Sequence, residues 1–338
     1  MKTLFQKLFL LVVVVGALQL LLVPKMQKRK DLRRFEAAVE SDPSILMFCD
    51  STDGWIDEGD TDTRSISMML ADRLQAEVAT ISRGGYHAQI YAEFFDLLIR
   101  RGHRPQVVVV PINLRSLSPE WDQKPAYQFE QAKSDLRHAD QPLRRAIDPL
   151  LRTLHLSDEE AVTQHDYKST PVFLGPRKVG AVRDFDNPSY GEPNRERTRQ
   201  KMIFHYLYPL KEDHRKLRAL RTIAAQAREA GQTVLFYVEP IDGESGEALL
   251  PDEFRSQVQS NLDVLQRSLE GHEPPLVDLT FDLGKEAFSW HDYPNEHLNQ
   301  KGRRHVAEAL AQALESSASL AAQRTKKVKT LEASTNKR

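Results

Sequence analysis

The run Val107-Val108-Val109-Val110-Pro111-Ile112 limits how this chain can fold more than any other segment. It is apolar without alternation, and a strand of that kind must be covered on both faces, as in the centre of a parallel sheet. Shorter runs read as strands at Ser44–Phe48, Glu77–Ser82, Thr233–Val238 and Leu276–Leu279. Between them lie segments with apolar residues at helical spacing. Ser65–Leu74 carries Ile66, Met69, Leu70 and Leu74, and Ile90–Arg101 carries Ile90, Phe94, Phe95, Leu98 and Ile99. Further helices are expected over Lys211–Ala230, Pro251–Leu269 and Gln300–Leu314, with Gly102 and Gly231 as stop signals. Strands alternating with helices predict a doubly wound, three-layer α/β sandwich with a mostly parallel sheet.

The 338 residues suffice for a sizeable core. A formal net charge of −1 gives no whole-chain signal for nucleic acid. The single cysteine, Cys49, excludes an internal disulfide. A thiol nucleophile at Cys49 is the less favoured reading, because an apolar run precedes it and small buried thiols are common.

The domain plan follows the same patterns. Residues 1–24 read as a membrane anchor: Leu4–Val23 is apolar over about the length that spans a bilayer, with Lys2 and Lys7 before it. A cleavable signal is the rival, with Val15-Gly16-Ala17 as a site, but Leu18–Val23 carries the apolar run past it. Residues 25–43 read as a charged juxtamembrane helix or linker. Its Lys25, Lys28, Arg29, Lys30, Arg33 and Arg34 favour a cytoplasmic placement by charge count, against the extracytoplasmic domain preferred on functional grounds. Residues 44–316 form the main domain, with an insertion or cap at about 116–207 that could act as a lid. The Lys- and Ser-rich tail, 317–338, reads as disordered.

Four short segments follow strand-like runs and carry chemistry. Asp50-Ser51 places a hydroxyl at a turn after the first strand, where a helix-capping serine is the plainer alternative. Gly84-Gly85 follows the second strand, and glycine lets backbone N–H groups come close to an oxyanion. Asn113 follows the third strand and offers a side-chain amide donor. His297, just before the last helix, is a candidate base for Ser51. In open α/β sheets ligands collect at the carboxyl ends of strands, which is the physical reason to group these residues.

In this order the segments resemble the SGNH (GDSL-like) hydrolase superfamily over roughly Leu46–Leu314. Cys49-Asp50-Ser51 stands for its Gly-Asp-Ser block, Gly85 (or Gly84) for its second-block glycine, Asn113 for its asparagine, and His297-Leu298-Asn299-Gln300-Lys301-Gly302 for its last block. The resemblance implies an SGNH/flavodoxin-like fold and a serine esterase or O-acyltransferase. Ser51 is then the nucleophile and His297 the base, and Gly85, Gly84 and Asn113 form the oxyanion site. Two positions depart from the pattern: Cys49 replaces the first glycine, and Pro294 stands where the acid partner of the histidine usually lies. Asp292 is the best substitute, with Glu296 and Asn295 as alternatives. The layout is similar to anchored proteins of envelope polysaccharide O-acylation. That implies an acyl ester or glycan substrate, membrane attachment, no cofactor and an acyl-transfer partner in the membrane. A cation held by His291, Asp292 and His297 is the weaker alternative, since no zinc-like spacing is present. The altered blocks also leave open a non-catalytic subunit that binds a glycan or an acyl-transfer partner.

Overall fold

The computed structural model describes residues 30–153, 164–169, 171–173, 179–181, 195–289 and 296–335. The expected anchor, together with His291, Asp292 and Asn295, lies outside them. Helix α1 (Lys30–Val39) leads to β1 (Ile45–Cys49), α2 (Ile66–Leu74), β2 (Val78–Ser82), α3 (Ala88–Arg100) and β3 (Val107–Ile112). After helices α4 (Glu130–Arg137), α5 (Pro142–Thr153) and α6 (Arg195–Tyr206), the alternation resumes. It continues through α7 (Arg215–Ala230), β4 (Thr233–Val238), α8 (Phe254–Ser268), β5 (Val277–Asp278) and α9 (Gln300–Thr335). The main sheet has five strands in the order β2-β1-β3-β4-β5, all parallel.

The strands sort their side chains strictly by face. Leu46 and Phe48 of β1, Val108 and Val110 of β3, and Val234 and Phe236 of β4 join one core with α1, α3, α7 and α8. Met47, Val109, Leu235 and Tyr237 point the other way, into a second core with α2 and α9. Two apolar faces on each central strand therefore require two helical layers, as the Val-rich run predicts. The sheet reverses its winding at β1, where the connections from β1 and β3 run to opposite sides.

Some elements gain detail. Of the two readings of the charged segment, helix or linker, residues 30–39 take the helix, and it packs into the core: Leu32 and Phe35 are wholly buried, and Phe35 stacks on Phe94 at 6.4 Å. Helix α9 runs on to Thr335, into the tail that the sequence analysis reads as disordered. The edge strand β5 is only Val277–Asp278, shorter than the expected Leu276–Leu279. Among the described residues, no helix is long and apolar enough to cross a membrane.

Candidate active site

The carboxyl edge of the sheet gathers the residues that the sequence separates. Ser51 sits in the turn after β1, and its Oγ lies 3.2 Å from Nε2 of His297. His297 is held by its backbone: its carbonyl accepts from the Ser289 N–H at 2.8 Å, and Leu298 bridges Phe288. Gly302 makes this approach possible, since a Cβ there would meet the Ala287 carbonyl oxygen at 2.6 Å. The Trp55 ring covers the imidazole, with centroids 4.7 Å apart. Burial pushes the His297 pKa below its ordinary value; Glu296 acts in the opposite sense, and Arg115 and Lys201 add to the depression. A neutral imidazole touching a hydroxyl is the arrangement that activates a serine.

A buried arginine fixes the covering loop. Arg303, fully buried on the first turn of α9, donates to Asp60 Oδ2 at 2.8 Å. It also donates to the carbonyls of Trp55, Asp62, Arg64 and Leu298. One side chain thus ties the loop carrying Trp55 to the turn carrying His297.

On the other side of Ser51, Gly84 comes within 4.0 Å of the serine Cβ (measured from the place of its own absent Cβ), and Gly85 has φ +84°. A Cβ at Gly85 would also lie 3.0 Å from Trp121 Cζ3, so both conformation and space require glycine. Asn113 accepts from the Arg115 N–H through Oδ1 at 3.0 Å and donates through Nδ2 to Asp50 Oδ2 at 3.1 Å. The first bond sets which end of the amide faces the serine side. The second uses one of its two N–H groups.

Beneath the serine lie two buried carboxyls. Asp50 Oδ1 accepts from the Thr52 N–H at 2.8 Å, and Thr52 Oγ1 donates to Glu239 Oε1 at 2.7 Å. Burial raises both, Asp50 to about 6 and Glu239 well above its ordinary value; the Glu296 charge adds to the rise of Asp50, and the Asp50 and Glu296 charges to that of Glu239. Both carboxyls are thus drawn towards the protonated form, Glu239 the more strongly, and Asp50 holds Asn113 through its hydrogen bond.

A small cleft opens over Ser51, lined by Asp50, Tyr86, Asn113, Arg115, Trp121 and Glu296 among others. Arg115 Nη1 donates to Glu296 Oε1 at 2.6 Å, and the Tyr206 hydroxyl donates to Glu296 Oε2 at 3.2 Å. Burial alone would raise the Glu296 carboxyl. The Arg115 charge and the neighbouring His297 outweigh it and hold Glu296 below the usual range. The wall bearing Trp121 is braced by Lys216 of α7, which is buried and donates to the carbonyls of Ser116 and Trp121. Burial pushes this lysine down to about 7, with Asp122 opposing.

The structure therefore brings together Ser51, Gly84, Gly85, Asn113 and His297. Asp292, expected as the third member, lies outside the described residues. Glu296, the alternative acid, spends its carboxylate on Arg115 and Tyr206. Among the described residues, no group of three or more His, Cys, Asp and Glu side chains is placed to hold a metal ion. Sequence reasoning missed Trp55, Trp121, Glu239, Lys216 and Arg303. A local signal existed only for Trp121, an aromatic soon after Asn113 in the presumed cap.

No protein-family model matches the chain, and no curated protein matches its sequence. Solved structures similar to it include a catalytic mutant of an acetylxylan esterase from Geobacillus stearothermophilus. That match has 11% identity and a TM-score of 0.39, covering 80% of this chain and 92% of that one. The acetyl xylan esterase AlAXEase is similar at 13% identity and TM-score 0.37, over 80% and 98% of the two chains. A family two carbohydrate esterase from Clostridium thermocellum, in complex with cellohexaose, is similar at 13% identity and TM-score 0.36, over 80% of this chain and 63% of that one. All three are esterases, but likeness at this level leaves function to be argued from this chain's own site.

Proposed function

We propose that the chain is a membrane-anchored serine esterase or O-acyltransferase of SGNH type that acts on an acylated glycan outside the cytoplasm. The observation that carries the chemistry is the 3.2 Å contact between Ser51 Oγ and a neutral His297 Nε2 at the carboxyl edge of the sheet. His297 takes the Ser51 proton as Oγ attacks the ester carbonyl. The oxyanion is received by the backbone N–H groups of Ser51 and Gly85 and by the second N–H of Asn113. Collapse breaks the ester bond, and the leaving alcohol takes the proton back from His297. The acyl group on Ser51 then passes to water or to a sugar hydroxyl. The cleft, narrowed by Trp121 over Gly85, suits a short acyl group such as acetyl. The esterases reported above act as models for a glycan ester. The apolar stretch Leu4–Val23 supports anchoring, and an acyl donor delivered by a membrane partner follows from that placement.

The test is release of acetate from an aryl acetate and from acetylated oligosaccharides, with and without an unacetylated oligosaccharide as acceptor. Wild type is expected to turn over the aryl acetate, and Ser51→Ala to lose turnover. Acetylated acceptor in place of free acetate marks the transferase. No turnover by wild type, with retained glycan binding, contradicts the proposal and favours a binding subunit.

A further inference from the structure

The chain enters the fold beside the serine. The first turn of helix α1 packs against the loop after β2, at the carboxyl edge of the sheet. The contacts there are specific. Asp31 accepts from the Tyr86 hydroxyl at 2.6 Å, from Arg83 Nη1 at 3.3 Å and from Arg34 Nη1 at 2.7 Å. Arg83 and Tyr86 flank Gly84-Gly85, and Tyr86 lines the cleft over Ser51. The start of α1 is thus bolted to the glycine loop of the site.

Six residues, 24–29, separate Lys30 from the apolar stretch that ends at Val23. Even fully extended, the steps from Val23 to Lys30 reach only about 25 Å. The surface where the chain enters is cationic: Lys30 and Arg33 are exposed, and the Arg83 side chain is 43% exposed. Lys25, Lys28 and Arg29 precede them in sequence. The opposite side of the same rim, the loop after Trp55, is acidic, with Glu58 exposed and Asp57 half-buried. Among the described residues, Lys301 and Arg304 on α9 are also exposed but lie within reach of Glu286 and Asp62, so it is the α1 side that complements anionic headgroups with an acidic patch facing it across the rim.

From this we infer that the α1 side of the catalytic rim, Lys30, Arg33 and Arg83, is a docking surface for an anionic lipid bilayer, so that the Ser51 cleft opens at the membrane surface and takes an ester presented there. The inference rests on the anchoring read from Leu4–Val23 and adds an orientation to it. A domain free on its tether would tumble; this one is held with the glycine loop near the headgroups and the amino edge of the sheet away from them.

The experiment uses the full chain in phosphatidylglycerol vesicles, with single spin-labelled cysteines at Arg33→Cys, Glu58→Cys and Arg104→Cys. Arg104 is exposed at the amino edge, before β3, and native Cys49 is 1% exposed and escapes labelling. A nickel chelate carried on lipid headgroups relaxes labels near the surface. The strongest relaxation is expected at position 33, with little at 58 and 104. Phosphatidylcholine in place of phosphatidylglycerol is expected to weaken the docking equilibrium by about fivefold for each cation in contact, and the relaxation at position 33 should fall with it. Equal relaxation at 33 and 104 in a chain that resists alkaline carbonate extraction overturns the orientation alone. Extraction by carbonate overturns the anchoring itself.

Discussion

Replacing Arg115 with methionine removes the cation that neutralises Glu296 and leaves a carboxylate that is only 4% exposed. The volume is nearly kept, so the cost is electrostatic. Stranding a buried charge costs about 3–5 kcal/mol. With unfolding entropy of about 2.1 cal/mol/K per residue over roughly 300 residues, or about 0.6 kcal/mol/K, the melting temperature should fall by about 5–8 °C. Glu296 is held below its unfolded pKa, so its contribution is complete above about pH 4.5 and is lost as pH falls further and the carboxylate protonates. The gap between wild type and Arg115→Met should therefore close in acid. Adding Glu296→Gln removes the stranded charge, and the double variant should recover most of the lost stability at pH 7. The two charges act on His297 in opposite senses, so the double variant should also keep the wild-type acid limb of kcat/KM, whereas Arg115→Met alone should move it to higher pH. Calorimetry between pH 4 and 8 with pH–rate profiles measures both effects. A loss below about 1 kcal/mol for Arg115→Met, the range of a surface pair, or a double variant no better than the single, refutes the buried pairing.

Three further outcomes follow from the same site. Gly85→Ala forces a Cβ into a left-handed conformation and against Trp121; it should cost about 1–2 kcal/mol in strain and lower kcat by pushing the second oxyanion donor away, as steady-state kinetics with an aryl acetate would measure. Glu239→Gln keeps an acceptor for Thr52, so stability should change little in acid. Burial holds the Glu239 carboxyl above its unfolded pKa, so wild type loses stability as pH climbs past about 4.5, and the Gln variant, which cannot ionise there, should pull ahead at pH 8; chemical denaturation at two pH values reads the difference. Trp55→Ala uncovers the His297 ring, so the acid limb of kcat/KM, expected below pH 6.5, should move up towards it.

Much of the layout was legible because parallel strands announce themselves. Val107–Ile112 has apolar residues on both faces, and the two helical layers follow. Ser51, Gly85, Asn113 and His297 could be grouped because each stands just past a strand or opens the last helix. The site's supports were not legible. Arg303 is as charged as its neighbours Arg304 and Lys301, and nothing local shows that it alone turns inward to bond five partners. Thr52 and Glu239 meet across 187 positions, and Arg115 and Glu296 across 181. In sequence each reads as a solvated polar residue, since burial depends on what other segments bring. The α1 segment had its signal, with Leu32, Phe35, Ala38 and Val39 on one face, but the surrounding Lys and Arg residues left it between a juxtamembrane helix and a linker, with no sign that it joins the core. Lys216 shows the same limit from the other side: a lysine on an amphipathic helix is expected in solvent, and here the Ser116 and Trp121 carbonyls draw it under the cap.

The proposed chemistry needs a hydroxyl made nucleophilic by a neighbouring imidazole. Treatment of the full chain with a fluorophosphonate, followed by intact mass and peptide mapping, tests this directly. One adduct per chain is predicted, on Ser51, absent in Ser51→Ala and strongly slowed in His297→Ala. An unlabelled wild type, an adduct on another residue, or labelling indifferent to His297 would contradict it.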